Sequence, residues 1–165
     1  LNPLDPKDMC VKITFTSFKV IHDFVNIDQG DVKGAIRVQR YSNGTNGDSY
    51  FWENYETYNT VDDGVEEYVS GVQYTTYALM SDEQSIKLST DHIQFRPVAG
   101  SWWDAFDGSM VVTTQDFSLD VKEKKYSYST SFNGVGGSFT PYFNFKVMTG
   151  TDVANNPGET FCQGL

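Results

Sequence analysis

Two segments of the chain carry aspartates at spacings that suit a bound cation. The first segment follows an apolar run and is bounded by glycines, and the second is a short Asp-Ala-Phe-Asp-Gly sequence after a later apolar run. Calcium prefers six to eight oxygen ligands, largely carboxylates and backbone carbonyls, and loops allow such ligands to converge. If the two segments meet at one end of the fold, a cation would offset the repulsion among their carboxylates. The sequence therefore predicts calcium as a cofactor, with candidate ligands Asp23, Asp28, Asp31, Asp104 and Asp107.

Ordinary turn chemistry is the alternative explanation of these aspartates. Asp is frequent in turns because its side chain hydrogen-bonds to nearby backbone groups. The spacing does not match that of an EF-hand loop, so the calcium prediction depends on the two segments meeting in space.

Apolar and aromatic residues accompany the same segments and are candidate contacts to a membrane, a ligand or a partner. Phe24 and Val25 lie in the first segment, Phe106 lies in the second, and Trp102 and Trp103 come just before it. Neighbouring side chains of a strand point to opposite faces, so one of the two tryptophans is expected to be exposed or at a sheet edge. Such a ring would insert into a membrane or stack on a sugar, whereas packing in the core or at the edge is the alternative.

A second aromatic run offers a different kind of site. It comprises Tyr50, Phe51, Trp52, Tyr55 and Tyr58. On one face of a sheet these residues would form a platform for a sugar, because aromatic rings combine a large apolar surface with a polar edge. The alternative is that they belong to the core.

The elements that must position these residues are strands. Apolar residues alternate with polar ones at a period of two, and helical periodicity is almost absent. Turn-forming residues separate the runs, which indicates an all-β fold, an antiparallel β-sandwich of about eight strands, C2-like or jelly-roll. A short helix is expected at 62–69. The predicted strands are 11–21, 35–41, 50–58, 71–80, 86–89, 92–98, 110–121 and 138–148, with 125–130 as a further candidate.

The length of 165 residues fits one domain, which we assign to 10–165, with 1–9 as a linker or trimmed N-terminus. The net charge is −10, and the 12 lysines and arginines are scattered, so we expect no nucleic-acid partner. An acidic chain also avoids anionic membranes unless a divalent cation bridges the charges.

Cys10 and Cys162 are the two cysteines, and their position at opposite ends favours a disulfide and export over two buried free thiols.

The residues from Val11 to Asp23, followed by Asp28, Gly30, Asp31 and 34–38, resemble the opening of C2-like β-sandwich domains of secreted bacterial proteins. Some of these domains are attached to thiol-activated-cytolysin-type proteins. The later segment 103–110 is similar to the second acidic loop of the same fold. The resemblance implies calcium and phospholipid binding by the two acidic loops, with the five aspartates named above as ligands.

An enzyme is the weaker interpretation. The two histidines, His22 and His92, do not belong to a recognisable catalytic motif, and we expect them at strand ends or partly buried. A jelly-roll glycosidase with paired glutamates from 53, 56, 66 and 67 is a residual alternative.

The sequence thus predicts a non-catalytic binding module of a secreted or surface protein, with calcium-dependent binding to a membrane or partner. A carbohydrate-binding module and a purely structural domain are the alternatives.

Overall fold

Antiparallel strands account for most of the chain that the structure describes. The computed structural model describes residues 9–22, 29–42, 45–69, 75–80, 85–106, 108–117, 125–129, 132–134 and 137–155. The strands are β1 (Met9–His22), β2 (Gln29–Ser42), β3 (Thr45–Asp62), β4 (Glu66–Tyr68), β5 (Thr75–Met80), β6 (Ser85–Pro97), β7 (Trp103–Phe106), β8 (Ser109–Thr113), β9 (Lys125–Ser129), β10 (Phe132–Gly134) and β11 (Gly137–Thr149). A 3₁₀ turn (Thr114–Asp116) follows β8, and a short helix α1 (Gly150–Asn155) follows β11.

The strands form two four-position sheets, which we call sheet I and sheet II. Sheet I has the order β3-β2-β6, and β7 and β8 share the far side of β6. In sheet II, β9 and β10 share one side of β11, β11 pairs with β1, and β4 and β5 share the far side of β1. One pairing between β7 and β10, Phe106 with Gly134, joins the sheets at an edge. The predicted antiparallel sandwich of eight strand positions is confirmed.

The core lies between the sheets because each long strand is apolar on one face. In β1, Val11, Ile13 and Phe15 have no solvent exposure, whereas the intervening Lys12 and Thr14 are half-buried on the other face. This alternation is the period-two pattern expected of a strand with one buried face. The facing layer of sheet I is formed by a second set of buried side chains, Val32, Ile36, Val38, Ile86, Leu88, Ile93 and Phe95.

Several boundaries differ from those that the sequence predicts. β2 begins at Gln29 and not at residue 35, because Gly30 and Asp31 already pair with Pro97 and Arg96 of β6. The expected helix at 62–69 is wrong, since a turn leads into β4, which pairs with β1. The two strands predicted at 86–89 and 92–98 are one continuous strand, β6. The strand predicted at 110–121 ends at residue 113, where the 3₁₀ turn begins.

Two other sequence predictions concern the ends of the chain. Cys10 is fully buried in β1, and Cys162 lies outside the described residues, so the disulfide stays a prediction. Residues 1–8 also lie outside the described part, so the linker assignment stays a prediction as well.

Gly34 lies at the point where β2 meets irregular stretches of both neighbouring strands. Its φ is +136°, and a Cβ there would stand 2.7 Å from the carbonyl oxygen of His92 and from the Cα of Ile93. Both obstacles are backbone atoms, so a side chain would have to displace β6 itself. Gly34 therefore fixes how closely β2 and β6 approach at the centre of sheet I.

We predict that Gly34→Ala lowers the free energy of unfolding by about 3 kcal/mol, because it combines a strained φ with overpacking against backbone. Gly64→Ala is the matched control, since Gly64 also has a positive φ, +70°, but its Cβ would meet nothing within 4 Å. The control should lose only about 1 kcal/mol. Urea unfolding of both variants measures the difference, and equal losses would contradict the tight approach of β6.

Candidate ligand-binding face

The outer face of sheet I carries exposed aromatic side chains. Tyr50, Tyr55 and Tyr58 of β3 are 40%, 41% and 51% exposed, and Trp102, just before β7, is half-buried. We call the surface defined by these four residues the aromatic face. Exposed rings gathered on one side of a sheet mark a contact surface more strongly than the same rings scattered singly.

Bulges in the strand pairing shape this face. Between the pairs Val32–Asn59 and Gly34–Asn54, four residues of β3 (55–58) lie opposite the single residue Lys33 of β2. On the other side of β2, residues 92 and 93 of β6 lie opposite Gly34 alone. Bulges are over-represented beside functional sites, where they redirect side chains. Here the wide bulge of β3 contains two of the three exposed tyrosines.

His92 provides the backbone conformation that the β6 bulge requires. Its φ is +49°, in the left-handed region that non-glycine residues seldom adopt. The side chain is exposed and lies 3.5 Å from the carboxylate of Asp91. An outlier of this kind persists only where the surrounding structure imposes it, and such outliers concentrate at binding and catalytic sites.

A buried ion pair lies beneath the aromatic face. The side chain of Asp31 is 2% exposed, and its Oδ2 accepts a hydrogen bond from Nε of Arg96 at 2.8 Å. Its Oδ1 accepts a hydrogen bond from the Thr60 hydroxyl at 2.9 Å. Asp31, Thr60 and Arg96 belong to β2, β3 and β6, so one carboxylate links the three strands of this part of sheet I. Hydrogen bonds to a charged group are stronger than those between neutral groups, so this carboxylate is well suited to link the three strands.

Arg96 in turn holds the aromatic rings. Its guanidinium lies 4.9 Å from the centroid of Tyr58 and 4.3 Å from that of Trp102, and the two rings are 5.9 Å apart, edge to face. Nη1 of Arg96 also donates to the carbonyl of Gly100 at 3.4 Å, in the turn that leads to Trp102. Lys33 contacts the Trp102 ring at 4.3 Å. Cation–π contacts of this kind fix ring positions while leaving part of each ring at the surface.

Asp91 organises the other half of the face. The Tyr55 hydroxyl donates a hydrogen bond of 2.8 Å to Oδ2 of Asp91. Burial, followed by this hydrogen bond and the Asp91 charge, raises the pKa of Tyr55 above its ordinary value. The hydrogen bond to Asp91 also raises the pKa of Tyr50. Both phenols therefore stay protonated at neutral pH and donate to Asp91, which leaves their oxygens as hydrogen-bond acceptors.

The arrangement is suited to binding a polar ring-shaped ligand. Aromatic ring faces carry partial negative charge and attract weakly positive C–H groups. Phenol hydroxyls, a carboxylate and an ammonium beside the rings supply hydrogen-bond donors and acceptors that fix orientation. Small-molecule binding sites usually combine an apolar surface with a few polar groups that fix the orientation of the ligand.

The residues predicted from sequence are distributed as follows. Asp31 and Trp102 are brought together around Arg96 on the aromatic face. Trp103, Asp104 and Phe106 lie in β7, so Asp104 is in a strand and not in the loop that the sequence predicts. The other candidates lie outside the described residues: Asp23, Phe24, Val25, Asp28 and Asp107.

The strand register bears on how the two acidic segments are arranged. Asp31 pairs with Arg96 on one side of β6, and Asp104 pairs with Gln94 on the other. Their Cα positions are therefore about 10 Å apart across the sheet and about 7 Å apart along it. Within the described residues, no group of three His, Cys, Asp or Glu side chains is placed to hold a metal ion. The shared calcium site stays a prediction.

The residues considered for catalysis are separated in the fold. His22 is buried at the end of β1, with its ring 5.6 Å from that of Phe95, whereas His92 is exposed in mid-strand. Glu53 lies in sheet I, and Glu66 lies in β4 of sheet II, where the Ser17 hydroxyl donates a hydrogen bond to it.

The roles of Lys33, Asp91 and Arg96 could not be predicted from the sequence. Each lies at a polar position of an alternating strand, which by itself indicates only a surface residue. Gly34 is the one nearby residue whose type suits a bulge, because a glycine inside a strand often marks one, but the sequence analysis places it just before the strand at 35–41.

No protein-family model matches the chain, and no curated protein is similar to it at a significant level. None of the helices in the described part of the chain has the length and apolar character needed to cross a bilayer.

We predict that Arg96→Met lowers the free energy of unfolding by about 3 kcal/mol, because it leaves the buried Asp31 carboxylate without its cation. The double variant Asp31→Asn, Arg96→Met removes the charge as well and should recover at least half of that loss. Urea unfolding of the two single variants and the double variant gives the coupling energy. Additive effects would show that the ion pair does not tie the strands together.

A second prediction concerns alkaline pH. The raised pKa of Tyr55 means that its hydrogen bond stabilises the fold below about pH 10 and is lost as pH rises through the raised value. The stability difference between the wild type and Tyr55→Phe should thus be constant up to about pH 9 and shrink above pH 10. Denaturant unfolding at several pH values measures it. A difference that grows with pH would contradict the assignment.

Proposed function

We propose that the chain is a non-catalytic binding module that recognises a glycan through the aromatic face. The observation that carries the proposal is the bulge of β3, which places Tyr55 and Tyr58 at the surface, with Tyr58 beside Trp102. Tyr58 and Trp102 supply ring surface for stacking, and the Asp91 carboxylate with the Tyr50 and Tyr55 hydroxyls supplies hydrogen bonds to sugar hydroxyls.

The preorganisation of the face supports this assignment. Arg96 is fixed by Asp31 and by the carbonyl of Gly100, and it contacts both rings. Rings held in place before binding lose little conformational entropy when a ligand stacks on them. A shallow, rigid and partly polar surface suits an extended oligosaccharide, which presents alternating C–H patches and hydroxyl groups.

The same proposal places the module in a secreted or surface protein. Two cysteines at opposite ends of the sequence, one of them fully buried in β1, suit an extracellular domain closed by a Cys10–Cys162 disulfide. Such a bridge would stabilise the sandwich mainly by restricting the unfolded chain.

We predict that the chain binds neutral oligosaccharides and that Tyr58→Ala and Tyr55→Ala each weaken binding by about tenfold, equivalent to about 1.4 kcal/mol. The measurement is calorimetric titration with a panel of neutral gluco-, xylo-, manno- and galacto-oligosaccharides, carried out in EDTA because the described site needs no metal. Tyr68→Ala is the matched control, since Tyr68 is 77% exposed but lies on β4 of sheet II.

Two outcomes would contradict the proposal. One is the absence of binding to any neutral glycan. The other is an equal loss of glycan affinity in the Tyr58 and Tyr68 variants.

A parallel titration with vesicles of phosphatidylcholine and phosphatidylserine, with and without calcium, tests the competing prediction of membrane docking. Calcium-dependent vesicle binding without glycan binding would favour the acidic loops over the aromatic face.

A further inference from the structure

The outer face of sheet II carries lysines that directly face one another. Lys12 of β1 is the register partner of Lys146 of β11, which is in turn the register partner of Lys125 of β9. Directly opposed residues of antiparallel strands have Cβ atoms about 5 Å apart, and like charges at such positions are destabilising. This row contains three of the chain's 12 basic residues, although the net charge is −10.

A cavity of about 330 Å³ opens beside this row, and we call it the lysine pocket. Lys12 and Lys146 are half-buried at its wall. No Asp or Glu occurs among the described residues that line it. The described residues that line it are Lys12, Thr14, Tyr126, Ser127, Asn144, Phe145 and Lys146.

The next row of the sheet adds neutral hydrogen-bonding groups to the pocket. Thr14 pairs with Asn144, and Asn144 pairs with Ser127. The Ser127 hydroxyl donates to Oδ1 of Asn144 at 3.1 Å, so the amide oxygen of Asn144 is already occupied on this side. Nδ2 of Asn144 carries the two N–H donors of that amide, and lysine ammonium groups are donors only. The wall of the pocket thus presents ammonium and amide N–H donors together with the hydroxyl groups of Thr14 and Ser127.

We propose that the lysine pocket binds a tetrahedral oxyanion ester, a sulfate or phosphate group carried on a sugar. The three terminal oxygens of such a group would accept hydrogen bonds from both rows, with the ammonium groups of Lys12 and Lys146 on one side and the Asn144 amide on the other. A carboxylate has two oxygens in one plane and matches this two-row arrangement less well. The cavity is also large enough to take part of the attached ring.

An oxyanion between the two lysines would accept a charge-assisted hydrogen bond from each ammonium group. The pocket lies on the opposite sheet from the aromatic face and shares no residue with it, so this inference does not rest on the proposed glycan site.

The test is calorimetric titration of the full chain with glucose 6-sulfate, glucose 6-phosphate and unmodified glucose at low ionic strength. We expect one or both esters to bind and glucose not to bind at this pocket, with affinity falling as salt is raised. Lys12→Gln and Lys146→Gln should each weaken ester binding by at least about fivefold. Lys87→Gln, which alters an exposed lysine of sheet I, is the matched control and should leave it unchanged.

A measurement without ligand separates loss of binding from loss of folding. Lys12→Gln changes a half-buried side chain on the outer face of the sheet, so its thermal midpoint should stay close to that of the wild type. Binding of only one ester would identify the anion and support the proposal. It would be overturned if neither ester binds at millimolar concentration, or if Lys87→Gln weakens binding as much as Lys12→Gln. Tyr58→Ala should leave ester binding intact, so failure of the glycan site is recognisable separately.

Discussion

The carboxylate of Asp31 is the constraint on which the surface of sheet I depends. A charged group that is 2% exposed requires partners, and it finds them on the strands to either side, in Arg96 and Thr60. Once Arg96 is committed to this contact, the positions of Tyr58, Trp102 and the turn at Gly100 follow from its remaining contacts. The exposed chemistry of the face is therefore set by a group that is itself almost hidden from solvent.

The sandwich can be predicted from the sequence because apolar and polar residues alternate along a long strand that has one buried face. In β1, apolar residues alternate with polar ones, as is typical of a strand with one buried face: Val11, Ile13 and Phe15 are buried, and Lys12 and Thr14 lie between them. Short strands leave no such record, since three or four residues cannot establish a period. For that reason the sequence predicts a helix where β4 lies and an acidic loop where β7 lies.

The site is harder to predict because it depends on the register between neighbouring strands, which inspection of a single sequence does not reveal. Asp31 was selected for its carboxylate, and Trp102 for its ring, but nothing in the sequence indicates that Arg96 stands between them. The run of Tyr50, Phe51, Trp52, Tyr55 and Tyr58 is predicted either as a sugar platform or as part of the core, and its three tyrosines are exposed. The bulge that exposes two of them arises from pairing with β2, and only Gly34 hinted at it.

The two outer faces differ in how they use charge. On sheet I the buried carboxylate of Asp31 is paired with Arg96, and Arg96 and Lys33 lie against aromatic rings. On sheet II the lysine pocket concentrates positive charge within a chain of net charge −10. Screening limits such a local field to about 8–10 Å at physiological ionic strength. A small anion can enter that range, whereas a polyanion would also meet the acidic remainder of the surface.

The bulge of β3 has a consequence for association between copies of the chain. Among the described strands of sheet I, β3 is at the edge, and its 18 residues would offer an unusually long row of unpaired backbone groups. A neighbouring chain can extend a sheet only along a regular stretch of edge. The register shifts at residue 51 and at residues 55–58 divide β3 into three shorter stretches. The feature that presents the tyrosines thus also protects the sandwich against edge-to-edge aggregation.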